Sequence, residues 1–327
     1  MNQETITEVI QFLTKNPGYL KWGKEKLASK LDCTVEDIDA AKARIKSDKG
    51  WESLEESELD VPLNIDTQEE ISMPNILILD IETSPLKAYV WRLWKQDIYL
   101  DQLISEWFCL SWSAKWLNHP ETMSEVLDPE EVKNEDDGRI IKKLWNVLND
   151  ADIVICHNGN SFDIPRVRTR FLLNGLPPTS FYHQIDTKLI AAKEFGFSSN
   201  KLDSLLKHFN LPLKKSTDFK LWKDCMDGKE EALKYMEEYN RYDVEGLEQV
   251  YLVLRPWIKN HPNVTLYDDR LPNRCPSCGG NILHKEDFYY TTVGKFQVYR
   301  CQKCGALSRD RKAIKRGVVT ANLSLGR

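Results

Sequence analysis

No apolar run in this sequence approaches the roughly 18 residues that a membrane-spanning helix requires. The first residues, MNQETITEVIQFL, lack the positive charge and the continuous apolar core of a secretory signal peptide. Internal repeats and low-complexity tracts are absent as well. We therefore expect a cytoplasmic protein with no membrane partner. The 327 residues are 41% hydrophobic and 29% charged, a globular balance that excludes a disordered or fibrous chain.

Charge is unevenly distributed along the chain. The formal net charge is −5, but residues 271–327 contain eleven Lys or Arg against three acids, a net of +8 that leaves −13 for the rest. Residues 51–70 contain eight acids and no Lys or Arg. We interpret residues 51–73 as a solvated acidic linker, and the alternative is a segment that shields a basic groove.

Residues 1–50 are predicted to form a small helical module. Ile6, Val9 and Leu13 recur at helical spacing, and Thr34 with Asp37 three residues later marks the start of another helix. Three short helices joined by tight turns are typical of a helix-turn-helix that contacts DNA. They are equally typical of a small protein-docking bundle.

From Asn75 the pattern changes to that of an α/β domain, which we place at residues 74–262. Residues 76–79 form a continuous apolar strand of the kind that is buried on both faces. Further strands are expected at 108–117, 121–127 and 152–156. Helices are expected at 140–148, 164–174, 187–194, 202–209 and 230–254. This order predicts a mixed sheet flanked by helices.

Two carboxylates lie at the end of the first strand, in the segment LDIETSP. Asp80 and Glu82 are two residues apart, so the period of a strand turns both side chains to the same face. Carboxylates at the end of an apolar strand are costly unless something pairs with them. A hard divalent cation is the natural partner, because Mg²⁺ and Mn²⁺ prefer oxygen ligands. A solvated strand end is the alternative interpretation.

Acids also occur in two later segments. CHNGNSFDIP follows the strand expected at 152–156 and precedes a helix, which places Asp163 in a strand-to-helix connection where it also suits a helix cap. YNRYD lies within the last long helix. Tyr239 and Asp243 are four residues apart there, hence one turn apart on one helical face. Alone, that pair is equally a surface hydrogen bond.

Together the three segments resemble the DEDD superfamily of 3′→5′ exonucleases, which have the ribonuclease H-like fold. The matching residues are Asp80 and Glu82 in the first motif, Phe162 and Asp163 in the second, and Tyr239 and Asp243 in the third. Tyrosine in the third motif is the mark of the DEDDy branch. The blocks ETSPLKAYVWRLW, LSWSAKWL, IDTKLIA, NKLDSL and MEEYNRYDVEGLEQVY are similar to predicted phage exonucleases, which are related to YprB-like nucleases and family B polymerase proofreading domains.

The resemblance implies a two-metal mechanism with Mg²⁺ or Mn²⁺. Asp80 is expected to bridge both ions, Glu82 and Asp243 to complete the inner site, and Asp163 to hold the outer ion. Tyr239, together with Glu82, is expected to orient the attacking water. A tyrosine with an ordinary pKa near 10 is a poor base at neutral pH, so we expect positioning rather than proton abstraction.

Three polar residues are candidates for contacts with the substrate. Asn158 and Asn160 suit hydrogen bonds to the terminal nucleotide, and equally suit turns. Lys201 suits a contact with a phosphate, although an exposed lysine usually has no specific partner. Asp186 is expected to cap the helix that begins near Thr187, with a role as auxiliary acid as the alternative.

Tryptophans cluster before and within the second strand. Indole rings stack on bases in proteins that bind single strands, but core packing is the expectation for most of this group. The group comprises Trp91, Trp94, Trp107, Trp112 and Trp116.

Four of the eight cysteines form two Cys-x-x-Cys pairs separated by 22 residues. The pairs are Cys275 with Cys278 and Cys301 with Cys304. Two such pairs predict one structural Zn²⁺ held by four thiolates, in a zinc ribbon over residues 271–327. The alternative, a redox-active dithiol, needs only one Cys-x-x-Cys pair and therefore does not account for the second. The basic residues around the ribbon suggest a phosphate-binding surface, and a solvated cationic tail is the alternative.

We therefore expect a metal-dependent 3′→5′ exonuclease that releases 5′-mononucleotides from a single-stranded 3′ end, with DNA favoured over RNA. A separate polymerase or replication protein is a candidate partner, since no polymerase domain is present. The phage-like blocks suggest action in a bacterial cytoplasm. One alternative is a ribonuclease or a structure-specific endonuclease on the same fold. The other is a non-catalytic adaptor that binds nucleic acid through the helical module and the ribbon.

Overall fold

The structure is a computed structural model that describes residues 3–15, 24–31, 33–48, 73–212, 217–268, 273–292 and 294–314. It divides into two compact units, Met1–Ser72 and Met73–Arg327. The predicted acidic linker lies outside the described residues except for Met73, and so does the tail from residue 315 onward. In the described part of the chain, none of the helices has the length and apolar composition needed to cross a membrane.

The first unit contains three helices, α1 (Gln3–Lys15), α2 (Lys24–Lys30) and α3 (Val35–Asp48). Their apolar faces form one small core. Thr34 and Asp37 bond reciprocally at the start of α3: the Asp37 N–H donates to Thr34 Oγ1 at 3.2 Å, and the Thr34 N–H donates to Asp37 Oδ2 at 3.3 Å. The sequence prediction of a helical module is thus confirmed, while a helix-turn-helix function stays a prediction.

The second unit is built on a five-stranded mixed sheet. The strands before the ribbon are β1 (Ile76–Thr83), β2 (Lys87–Ala88), β3 (Leu103–Ser105), β4 (Cys109–Trp116), β5 (Thr122–Val126), β6 (Ile153–Cys156) and β7 (His183–Asp186). The sheet order is β5-β4-β1-β6-β7, and β2 pairs separately with β3. β1 runs antiparallel to β4 and parallel to β6. The ribonuclease H-like mixed sheet that the sequence predicts is therefore present.

Helices cover both faces of this sheet. They are α4 (Pro129–Asn134), α5 (Gly138–Asn149), α6 (Asp163–Leu173), α7 (Thr187–Glu194), α8 (Leu202–His208), α9 (Phe219–Met226) and α10 (Glu230–Leu254). The five helices expected from the sequence are all present, with ends within two residues of the expected ones. The short helices α4 and α9 were not expected from the sequence.

The two faces of β1 belong to different cores. Its odd-numbered apolar residues pack with residues of α5 and α6. Its even-numbered Ile76 and Ile78 pack with residues of α7, α8 and α10. Since side chains alternate along a strand, Asp80 and Glu82 continue the even-numbered face. The fold thus directs both acids to the side of the sheet that α10 covers.

The ribbon is a three-stranded antiparallel sheet of β8 (Leu283–Tyr290), β9 (Lys295–Cys301) and β10 (Leu307–Arg309). Among the described residues, its contacts with the rest of its unit include a hydrogen bond and a close packing contact. The Val264 N–H donates to the Pro276 carbonyl at 2.8 Å. Gly279, with a φ of +69°, lies so close to Met73 that a Cβ there would be 2.6 Å from the methionine Cε. Glycine is therefore favoured at this turn by its positive φ, whereas the flexible end of Met73 could move aside for a Cβ.

The five clustered tryptophans have different surroundings. Trp112 is buried, and its indole N–H donates to the Ile140 carbonyl at 2.8 Å. Trp91 is 95% exposed and Trp94 is 80% exposed. Core packing is thus wrong for these two, because they lie on a connection that leaves the sheet between β2 and β3.

Candidate functional site

Three carboxylates from β1 and α10 converge on one point. Asp80, Glu82 and Asp243 each place a carboxylate oxygen within 4.8 Å of the others. Asp243 is buried, and the two strand acids are half-buried. Carboxylates this close together repel one another when they are ionised, unless a cation lies between them. A cluster of hard oxygen donors fits Mg²⁺ or Mn²⁺, so these three residues would hold a divalent metal ion.

A buried asparagine orients one of these acids. Asn240 lies on α10 between Tyr239 and Asp243 in sequence, and its side chain is fully buried. Its Nδ2 donates to Asp80 Oδ2 at 2.6 Å, while its Oδ1 accepts from Ser111 Oγ at 3.2 Å. The amide thereby fixes the direction in which the Asp80 carboxylate points. Sequence reasoning missed this residue, although it stands within the YNRYD segment.

Asp163 lies beside the cluster but is not one of its three members. It is the first residue of α6 and is 2% exposed. Its Oδ1 accepts a 3.1 Å hydrogen bond from the N–H of Ile81, the residue between the two strand acids. Burial raises the pKa of the Asp163 carboxyl to about 7, and hydrogen bonds from backbone N–H groups limit the rise. Nearby cationic charge would favour its ionised form.

Tyr239 lies one turn before Asp243 on α10 and is 6% exposed. Its ring makes an edge contact with Trp222 of α9, with ring centroids 6.4 Å apart. The Tyr239 ring is thus packed against a helix that sequence reasoning did not predict.

Asp186 organises the loop after β6. Its carboxylate accepts backbone N–H groups from four residues, at 3.0–3.2 Å. Two of these donors, Lys188 and Leu189, belong to the first turn of α7, so Asp186 caps that helix as expected. The other two are Asn158 and Asn160, in the loop that leads to Asp163.

The three candidate substrate contacts lie in the loop after β6 and at the start of α8. Asn158 has a φ of +70° and forms a turn, and its Oδ1 accepts from Lys188 Nζ at 3.1 Å. Asn160 is exposed on the same loop. Lys201 is exposed and immediately precedes α8. Their contacts with a nucleotide stay predictions.

A cavity of about 580 Å³ adjoins the cluster. Thr83, which follows Glu82, forms part of its wall, and so does Trp222, the ring that touches Tyr239. Arg166 also lines the cavity, and its guanidinium lies 5.2 Å from the centre of the Trp107 ring. The remaining lining residues are Ser84, Pro85, Leu86, Trp107, Thr217, Asp218 and Phe219. Aromatic walls and a cation suit a ligand that combines a flat ring with an anionic group.

The four paired cysteines also converge. Cys275 Sγ lies 3.7 Å from Cys304 Sγ, and Cys278 Sγ lies 3.6 Å from Cys301 Sγ. All four sulfurs lie within 4.8 Å of one another. A tetrahedral zinc ion with Zn–S bonds of about 2.3 Å needs sulfurs about 3.8 Å apart, so the cluster fits a four-thiolate Zn²⁺ site.

Comparisons with known proteins identify a family match and a similar solved structure. Residues 118–255 match the family model of the RNase_H superfamily, so the chain contains an RNase H superfamily domain. One similar solved structure is the family B DNA polymerase from the hyperthermophilic archaeon Pyrobaculum calidifontis, with 14% sequence identity and a TM-score of 0.41. The alignment covers 56% of this chain and 25% of the polymerase chain. No curated protein matches the sequence.

Proposed function

We propose that this protein is a metal-dependent 3′→5′ exonuclease of the DEDDy type, which hydrolyses single-stranded DNA to 5′-mononucleotides. The observation that carries the proposal is the convergence of Asp80, Glu82 and Asp243 within 4.8 Å. Asp163 and Tyr239 flank that cluster on α6 and α10. An RNase H superfamily domain with such an acidic cluster supports a nuclease that acts on nucleic acid.

Each side chain has a distinct part in the proposed reaction. Bound Mg²⁺ or Mn²⁺ would activate water and neutralise charge on the scissile phosphate. Asp80, Glu82 and Asp243 would hold the metal ion, and the hydrogen bond from Asn240 orients the Asp80 carboxylate. Asp163, in its ionised form, would be a further ligand.

Tyr239 positions the nucleophile rather than removing its proton. The edge contact with Trp222 restricts the ring. A phenol hydroxyl can both donate and accept a hydrogen bond. This suits orientation of a water molecule for attack on the phosphorus.

The cavity beside Glu82 suits the terminal nucleotide of a strand. Trp107, Phe219 and Trp222 provide flat apolar surface, and Arg166 provides a positive charge for a phosphate. Asn158, Asn160 and Lys201 are further candidates for substrate contact. DNA as the preferred substrate, a polymerase or replication protein as partner and a phage origin stay predictions.

The experiment is a cleavage assay on 5′-labelled single- and double-stranded DNA and RNA oligonucleotides. Each substrate is tested with Mg²⁺, with Mn²⁺ and without added divalent ion. Wild type is compared with Asp243→Asn and with Glu231→Gln, which removes an exposed acid from the same helix. We expect a ladder that shortens from the 3′ end, depends on the metal, persists in Glu231→Gln and disappears in Asp243→Asn.

Other outcomes of this assay would contradict the proposal in different ways. Discrete internal cuts would keep the metal centre but replace the exonuclease by an endonuclease. Cleavage of RNA alone would replace DNA as the substrate. No metal-dependent cleavage of any substrate, with binding of nucleic acid intact, would favour the non-catalytic adaptor.

A further inference from the structure

Residues 86–105, which we call the arm, connect β1 to β4 and expose an unusual amount of apolar surface. In a globular protein, a contiguous exposed apolar surface generally marks a binding site. The arm contains four exposed aromatic rings, of which Trp91 and Trp94 are the most accessible at 95% and 80%. The other two exposed rings belong to Tyr89 and Tyr99.

The arm has a defined fold that holds these rings outward. Gln102 bonds two of its segments together: the Tyr89 N–H donates to the Gln102 carbonyl at 2.9 Å, and Gln102 Nε2 donates to the Tyr89 carbonyl at 3.0 Å. Gln102 Oε1 also accepts the Tyr99 N–H at 2.9 Å. At the base, Lys87 Nζ lies 2.9 Å from Glu135 Oε1 at the end of α4. The exposure of the rings is therefore a property of the folded arm.

The tip of the arm combines the rings with cations. The Arg92 N–H donates to Gln96 Oε1 at 3.1 Å, and Arg92 Nη2 donates to the Lys95 carbonyl at 2.8 Å. Within the residues that the structure describes, neither Arg92 nor Lys95 forms an ion pair with an acid. Both charges are thus available to phosphates, although Asp97 and Asp101 on the same arm reduce the net positive charge.

The base of the arm forms part of the cavity beside the carboxylate cluster. Pro85 and Leu86, where the arm begins, and Trp107, just after it ends, all line that cavity. A strand whose last nucleotide occupied the cavity would therefore leave it next to the arm.

We propose that the arm binds unpaired nucleotides upstream of the 3′ end, by stacking bases on Trp91 and Trp94 while Arg92 and Lys95 contact phosphates. This proposal rests on the proposed function in assuming that a 3′ end enters the cavity. Stacking on aromatic rings is tolerant of sequence, because every base has a flat face. The arm would thus supply affinity for a single strand without selecting its sequence.

The test compares two double variants of the full-length protein. Trp91→Ala/Trp94→Ala removes the rings, and Leu93→Ala/Leu100→Ala removes two similarly exposed aliphatic side chains from the same arm. Binding of a fluorescein-labelled 20-nucleotide oligo(dT) is measured by anisotropy with Ca²⁺ in place of Mg²⁺. We expect the Kd to rise about tenfold or more for the tryptophan variant and less than about twofold for the leucine variant. Circular dichroism confirms that both variants fold.

A small substrate distinguishes an effect of the tryptophan variant on the arm from an effect on the catalytic centre. The p-nitrophenyl ester of thymidine 5′-monophosphate can occupy the cavity, whose lining does not include Trp91 or Trp94. We expect the tryptophan variant to hydrolyse this ester with unchanged kcat/KM, while its KM for the oligonucleotide rises and its kcat stays the same.

Equal affinity of wild type and the tryptophan variant for oligo(dT) would overturn the proposal. So would equal losses in both double variants, since a general apolar contact would then explain them. A dimer in sedimentation that only the tryptophan variant disrupts, with oligo(dT) affinity unchanged, would instead assign the arm to contacts between copies of the chain. Failure of wild type to cleave any substrate would refute the proposed function alone, because tryptophan-dependent oligo(dT) binding would still support stacking.

Discussion

The side-chain amide of Asn240 donates a 2.6 Å hydrogen bond to Oδ2 of Asp80, a residue 160 positions earlier in the chain. One oxygen of the carboxylate is thereby directed toward helix α10, and the carboxylate cannot rotate without losing that bond. Hydrogen bonds of this kind determine how well a carboxylate coordinates a metal ion.

Replacement of Asn240 by leucine should therefore weaken metal binding. Asn240→Leu keeps the volume of the buried side chain but removes the donor, and we expect the affinity for Mn²⁺ to fall about 10- to 100-fold. Titration calorimetry with Mn²⁺ measures this directly. Asn146→Ala, which changes an exposed residue of α5, is the control. An unchanged affinity in Asn240→Leu would show that the bond does not position Asp80.

The raised pKa of Asp163 should make stability depend on pH when no divalent ion occupies the acidic cluster. Its pKa is about 7 in the folded protein and near 3.9 in an unfolded chain, so the folded state binds the extra proton between these values. The free energy of unfolding should therefore fall as pH rises toward about 7 and level off above it.

The matched variant for this effect is Asp163→Asn, which cannot ionise. The difference in free energy of unfolding between variant and wild type should be small near pH 4, should grow in favour of the variant as pH rises, and should level off above about pH 7. Urea denaturation in buffers without Mg²⁺ or Mn²⁺ measures both proteins. A difference that is constant across this range would contradict the raised pKa.

A buried ion pair between α6 and the loop before α5 should contribute strongly to stability. The fully buried Asp137 accepts hydrogen bonds from Arg170 at 2.6 Å and 2.7 Å, and also from the Cys109 N–H at 2.9 Å. Asp137→Ala leaves the guanidinium buried without its partner, so the free energy of unfolding should fall by about 3–5 kcal/mol. The exposed pair of Lys234 with Glu230 provides the control, where Glu230→Ala should cause no measurable change.

Alkylation should distinguish the zinc cysteines from the other four. Burial raises the pKa of the Cys109 and Cys156 thiols well above the ordinary range, and raises that of Cys225 to about 12. These three thiols stay protonated at pH 8 and should react slowly with iodoacetamide. Cys33 is partly accessible and should be labelled in the native protein.

Removal of zinc with a chelator should then add four labels, on the ribbon cysteines. Mass spectrometry before and after chelation counts the modified thiols. Labelling of the ribbon cysteines at the same rate with and without the chelator would show that they hold no metal.

Much of the carboxylate cluster could be predicted from the sequence, because it depends on local periods. The two-residue spacing of Asp80 and Glu82 places both side chains on one face of a strand. The four-residue spacing of Tyr239 and Asp243 places both on one face of a helix. The spacing of the cysteine pairs likewise predicted a cluster of four sulfurs. In each case the relevant geometry lies within one strand, one helix or one turn.

Features that depend on contacts between distant segments could not be predicted in this way. The role of Asn240 requires the position of Asp80 and Ser111, which lie on two different strands. The four hydrogen bonds to Asp186 require the path of the loop after β6. Trp91 and Trp112 have the same side chain, and only the route of the chain decides that one is exposed and the other buried.

The contact of the ribbon with Met73 and Val264 has a consequence for how the protein can be divided. A fragment that ended before residue 271 would leave the Val264 N–H without its acceptor and would uncover the surface on which Gly279 rests. The ribbon thus packs against the sheet domain and is not structurally independent of it. A module this small would depend on bound zinc to fold, so loss of zinc from the four-cysteine cluster should also weaken the contacts that the ribbon makes with Met73 and Val264.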